Sequence, residues 1–149
     1  MPRKADTMEE VDLHNHITGG VWKPAPVEEQ PEAFLISGGL FRVPAWDKHP
    51  AAIHMVGYNL NYGEGRVSSP LRNFGILDGD RPYVRATSRS GRLYALALPL
   101  NSEHGINLDA AYVLGSAYRA WGLPEEIKFE FLTMEDLLQV IEKEKQNAE

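Results

Sequence analysis

Cysteine is absent from the 149 residues. That absence excludes disulfides, thiolate metal sites and cysteine nucleophiles, and it fits a reducing, cytoplasmic setting. Long apolar runs are missing too: none approaches the roughly 20 residues that a membrane-spanning helix needs. The opening MPRKADTMEEVDLHNH has no apolar stretch of the kind a signal peptide requires, so none is expected. Positive charge is in short supply, with 15 Lys and Arg against 21 Asp and Glu and a net charge of −6. An acidic balance of that size argues against broad, non-specific nucleic-acid binding. The chain also lacks a G-x-x-x-x-G-K-[ST] phosphate loop, a dinucleotide fingerprint, a G-x-S-x-G nucleophile elbow, a zinc finger and a helix-turn-helix with a basic recognition helix. No cofactor is therefore expected, and catalysis is the less favoured class.

What is present is ordinary for a globular protein: 43% hydrophobic and 24% charged residues, in a chain long enough to bury a core without staples. Residues 1–32 are polar and dotted with Pro24, Pro26 and Pro31, which favours an extended or disordered N-terminal arm. Residues 33–149 read as a single domain. Short apolar runs at Ala33–Ile36 and Leu40–Val43 are split by Ser37-Gly38-Gly39, a turn signal. Further strand candidates are Ala52–Leu60, Arg66–Ser69 and Asn73–Leu77. A helix is expected from Leu108 to Trp121, capped by Asn107 and stopped by Gly122, with Gly115 marking a close approach to a sheet. Ile127–Leu132 alternates as a strand, and Thr133 with Asp136 forms a cap-like box before a second helix over about 134–146. Strands first and helices last predict an α+β fold: a mostly antiparallel, curved sheet with two helices packed on it.

The strongest binding character lies in Arg81–Leu98, RPYVRATSRSGRLYALAL. With Ser90-Gly91 as a two-residue turn, this is a hairpin. It would place Tyr83, Arg85, Thr87 and Arg89 on one face with Arg92, Tyr94, Leu96 and Leu98. A four-residue loop, Ser88 to Gly91, would pair other residues, and a one-residue slip would exchange the faces. Arg89 opposite Arg92 costs about 0.2–1 kcal/mol as a like-charged cross-strand pair and calls for a counter-charge. The region from Arg66 to Arg92 carries a net +4 between acidic ends of −4 (residues 1–32) and −5 (125–149). Trp22 and Trp46 stand outside any periodic pattern, where large aromatics serve either as interface anchors or as covers for a sheet edge. The candidate contact residues are therefore Tyr83, Arg85, Arg89, Arg92, Tyr94, Trp22 and Trp46.

Asp12-Leu13-His14-Asn15-His16 is a D-x-H-x-H string. It resembles the opening metal-ligand motif of the amidohydrolase and PHP-type phosphoesterase families, in which two alternate histidines on a strand bind one metal ion. The resemblance covers five residues, in a chain much shorter than the barrels of those families. It makes His14 and His16 weak metal candidates and implies a small metal-dependent hydrolase as one reading. The other histidines are His49, His54 and His104, without a ligand partner at short spacing.

The favoured expectation is a non-catalytic accessory or inhibitor module, of the compositional kind seen in small bacterial and phage proteins. It would bind another protein, or a second copy of itself, through the Arg/Tyr hairpin and the arm. Binding of single-stranded nucleic acid or a nucleotide by the hairpin is the alternative, and no membrane partner is expected.

Overall fold

The computed structural model describes residues 11–15, 20–22, 28–29, 31–59, 64–100, 115 and 117–148. Among them, nine strands form one mixed sheet. These are β1 (Val11–Asn15), β2 (Gly20–Trp22), β3 (Glu32–Val43), β4 (Ala52–Asn59), β5 (Glu64–Val67), β6 (Leu71–Leu77), β7 (Tyr83–Ser88), β8 (Leu93–Ala97) and β9 (Glu130–Phe131). Helical residues 117–121 form α1, and α2 spans Met134–Ala148. The spatial order is β2-β1-β5-β4-β3-β8-β7-β6, with β9 also on β3. All pairings are antiparallel except β3 with β8. The expected α+β class and the mostly antiparallel, curved sheet are what the molecule has.

β3 organises the sheet. Ser37-Gly38-Gly39, expected to be a turn, is a β-bulge inside a continuous 12-residue strand, with Ser37 at φ 52°. The bulge replaces the turn because Gly38 packs its backbone against β4: a Cβ there would lie 1.8 Å from the Val56 carbonyl oxygen. Before the bulge β3 pairs with β8, and after it with β9, so two strands share one edge. Burial changes at the same point. Ala33 and Leu35 are buried while Glu32 and Phe34 are exposed, but from Gly38 to Val43 only Arg42 is not buried.

That change reflects two cores. On the inner face of the sheet Leu35, Leu40, Met55, Val84, Tyr94 and Leu96 meet Leu132 and Leu137, and α2 packs over them. On the outer face Phe41, Val43, Val56 and Val67 are covered by Ala117, Trp121 and Leu123, with Phe129 and Phe131 against them. Among the described residues the outer core cluster ends at the bulge, and Phe34, on the outer face of the first half of β3, is exposed.

The helix signals hold where they can be followed. Leu123 N–H donates to Tyr118 O (3.3 Å) and Gly122 N–H to Arg119 O (3.2 Å), and Gly122 sits at φ 69°. This is the Schellman ending that Gly122 foretold. Asp136 N–H donates to Thr133 Oγ1 (3.1 Å) and Thr133 N–H to Asp136 Oδ2 (2.9 Å), the reciprocal cap expected for α2. Gly115 is different: among the described residues a Cβ there would approach only the Arg119 side chain, at 3.9 Å, and not the sheet. Of the strand expected over Ile127–Leu132, only Glu130–Phe131 pairs, although Ile127 and Phe129 also pack inward. Within the N-terminal segment read as an arm, β1 and β2 are strands at the sheet edge, and β1 pairs with β5 through Asp12 and Arg66.

One carboxylate adds a polar tie between α2 and the sheet. At a second bulge, between Arg72 and Gly75, Asn73 takes φ 59°. The N–H groups of Asn73 and Phe74 donate to Glu144 Oε2 and Oε1, each at 2.8 Å. A carboxylate accepts on both oxygens, whereas an amide has only one acceptor. Glu144→Gln is thus expected to cost about 1 kcal/mol, measured by urea unfolding.

Candidate binding surfaces

The hairpin register decides which side chains share a surface. Gly91 N–H donates to Ser88 O (3.0 Å), Ser88 N–H to Arg92 O (2.9 Å) and Arg92 N–H to Ser88 Oγ (3.1 Å). The loop is therefore Arg89-Ser90-Gly91, three residues with Gly91 at φ 97°, rather than the two-residue Ser90-Gly91 turn. The extra residue slips the pairing by one: Thr87 faces Leu93, Ala86 faces Tyr94 and Arg85 faces Ala95.

The slip divides the expected Arg/Tyr face three ways. Tyr94, at 0% exposure, and Arg92, at 3%, lie on the inner side with Val84, Ala86 and Ser88, so neither belongs to an outer contact surface. Tyr83 and Arg85 stay outside, half-buried and exposed respectively, and Arg89 projects from the exposed loop. Trp46 is half-buried against the outer core, with its ring 4.5 Å from that of His49, and acts as a cover for that core. Trp22 ends β2, and its side chain lies outside the described residues.

The outer surface gains a residue that pattern reading passed over. Phe34 is 44% exposed, and its ring centroid lies 5.6 Å from that of Tyr83, tilted by 49°. The register places Phe34 beside Ala95 and Ala95 beside Arg85, so one row across β3, β8 and β7 joins an aromatic pair to a guanidinium. The signal was the alternation Ala33, Phe34, Leu35, which sets Phe34 opposite two core residues.

A second recess opens on the inner side, under the outer half of α2. It is a groove of about 290 Å³ between the start of β4, β6, α2 and the hairpin tip. Its polar rim is Arg42, His49, Arg89 and Glu144, and Leu71, Phe74 and Val140 form its apolar wall. Arg42 also meets Glu130 at 3.5 Å. Only Arg89 of these was singled out from the sequence, since the others converge from elements far apart in the chain.

His54 is a third chemical feature. It is fully buried between Phe41 and Trp121, with ring centroids at 5.3 and 4.8 Å. Its Nδ1 donates to Ser68 O at 2.8 Å, while Nε2 has no hydrogen-bond partner among the described residues. Burial pushes its pKa down to about 4, against the opposing effect of the Ser68 carbonyl. A neutral imidazole enclosed by aromatic rings in this way serves packing.

Among the described residues no group of three or more His, Cys, Asp or Glu is arranged to hold a metal. His14 lies on β1, with its side chain undescribed, and His16 and His104 lie outside the described residues. No described helix is long and apolar enough to cross a membrane. Comparison of the chain with protein-family models, curated proteins and solved structures finds no match.

Proposed function

We propose that this protein is a non-catalytic, cytoplasmic binding module, an accessory or inhibitor that occludes or scaffolds another protein through its outer sheet face. The observation that carries the reading is Phe34, exposed on the outer sheet face with its ring against Tyr83 and with Arg85 in the same cross-strand row. Aromatic and Arg side chains supply most of the affinity at protein interfaces, and a rigid sheet presents them without an ordering cost. The net charge of −6 favours a protein partner over a nucleic acid. Burial of Tyr94 and Arg92 also removes half of the side chains that a base-stacking hairpin would have used.

The test is an affinity capture from lysate of the source cell, comparing the native chain with Phe34→Ala/Arg85→Glu, with and without nuclease. A protein that survives nuclease and is lost with the double variant is the expected result. Arg85 is exposed, so Arg85→Glu should move folding stability by about 0.5 kcal/mol or less. Phe34→Ala also gives up the ring contact with Tyr83, about 1 kcal/mol or more, and thermal unfolding of the double variant confirms that it is folded at the capture temperature. Recovery of nucleic acid, or loss of every partner after nuclease, would replace this reading with single-stranded nucleic-acid binding.

A further inference from the structure

We infer that the inner groove is a binding site for a small amphipathic carboxylate. The argument begins with charge. Arg42 and Arg89 reach the groove from β3 and from the hairpin loop, and Glu144 is the carboxylate on its rim. Both Glu144 oxygens accept from the Asn73 and Phe74 N–H groups, which fixes that side chain at the β6 bulge, and its single negative charge offsets at most one of the two arginines. Arg42 does meet Glu130 at 3.5 Å, but the two side chains are 35% and 67% exposed, and such surface pairs hold each other weakly. With two arginines against one glutamate in its lining, the groove is a net-positive recess on a chain of net charge −6.

Shape and apolar lining narrow the ligand. Guanidinium forks match carboxylates in a two-point geometry. Beside them Leu71, Phe74 and Val140 supply an apolar wall, which inorganic anions would leave uncovered. A volume of about 290 Å³ suits a short acyl chain or a single ring rather than a nucleotide or a peptide segment. The ligand class is thus a monocarboxylate with a compact apolar tail, its head between Arg42 and Arg89. This site lies on the inner side of the sheet, away from Phe34 and Tyr83, and does not depend on the outer-face reading.

The probes are hexanoate, hexanol and inorganic phosphate, titrated into the full-length chain and followed by two-dimensional NMR. Saturable hexanoate binding is expected, with the largest shifts at Ile53, Phe74 and Val140, and with hexanol and phosphate at least tenfold weaker. Arg89→Gln, in an exposed loop where folding is safe, should weaken hexanoate at least fivefold. Ala51→Trp, which keeps both arginines and fills the groove, should abolish binding. The inference is overturned by any of four results: no saturation, hexanol or phosphate binding as tightly as hexanoate, shifts centred on Phe34 and Tyr83, or unchanged affinity in both variants.

Discussion

Gly38→Ala is expected to cost about 3 kcal/mol or more, the upper range of overpacking effects, which for a domain of this size lowers the melting temperature by roughly 10 °C. The added Cβ would stand 1.8 Å from Val56 O and 2.7 Å from Gly57 Cα, and both of these are backbone atoms. No side-chain rotation relieves such a clash, so β3 and β4 must separate where their pairing changes register. The two cores meet at this point, with Leu35 and Leu40 on one side and Phe41 and Val56 on the other, so the strain reaches both. Gly75 is the control. It belongs to the other bulged pairing, but a Cβ there meets nothing within 4 Å, and Gly75→Ala should change stability by less than about 1 kcal/mol. Thermal unfolding of the two variants beside the native chain measures the contrast. Equal, small losses in both would mean that the β3–β4 contact is not as close as described.

The same glycines show what the chain discloses and what it withholds. Ser37-Gly38-Gly39 carries the composition of a turn, and composition alone does not separate a turn from a bulge, since both use glycine to escape Cβ sterics. The choice between them depends on whether a neighbouring strand lies against that backbone, and β4 is a tertiary fact. The hairpin has the same character. Ser-Arg-Ser-Gly-Arg accommodates a two-residue or a three-residue loop, and Ser88 Oγ receiving the Arg92 N–H accompanies the longer one. One residue of loop then moved Arg92 and Tyr94 from the surface to the interior.

Local signals were legible because their physics is local. Thr133 with Asp136, and Gly122 after α1, satisfy backbone groups within a few residues, and both act as read. The outer face was half legible: Tyr83 and Arg85 were named and Phe34 was not, because its role rests on the parallel β3–β8 pairing between distant segments. The groove was illegible apart from Arg89. Arg42, His49 and Glu144 come together only through the two bulges and the docking of α2.

Acid should destabilise the protein through His54, and the sign follows from its burial. Its folded-state pKa of about 4 lies below the ordinary 6.5, so the unfolded chain takes up a proton first as pH falls. The stability contributed by the neutral ring is complete above pH 6.5, declines between 6.5 and 4, and levels off below 4 as the folded state also binds the proton. The difference in affinity corresponds to about 3 kcal/mol lost across that window. The physical origin is the aromatic enclosure: Phe41 stacks on the ring, Trp121 lies tilted against it, and Nε2 is buried, while Ser68 O engages Nδ1. Urea unfolding at half-unit steps from pH 7.5 to 4 measures the slope, and the NMR titration of the His54 ring in the folded state should have its midpoint near 4. His54→Asn separates this cause from the titration of surface carboxylates. An Asn amide can still donate toward Ser68 O, so the variant should fold with lower stability at pH 7 and a flatter profile between pH 6.5 and 5. A variant profile as steep as the native one, or a ring midpoint near 6.5, would place the acid sensitivity elsewhere in the molecule.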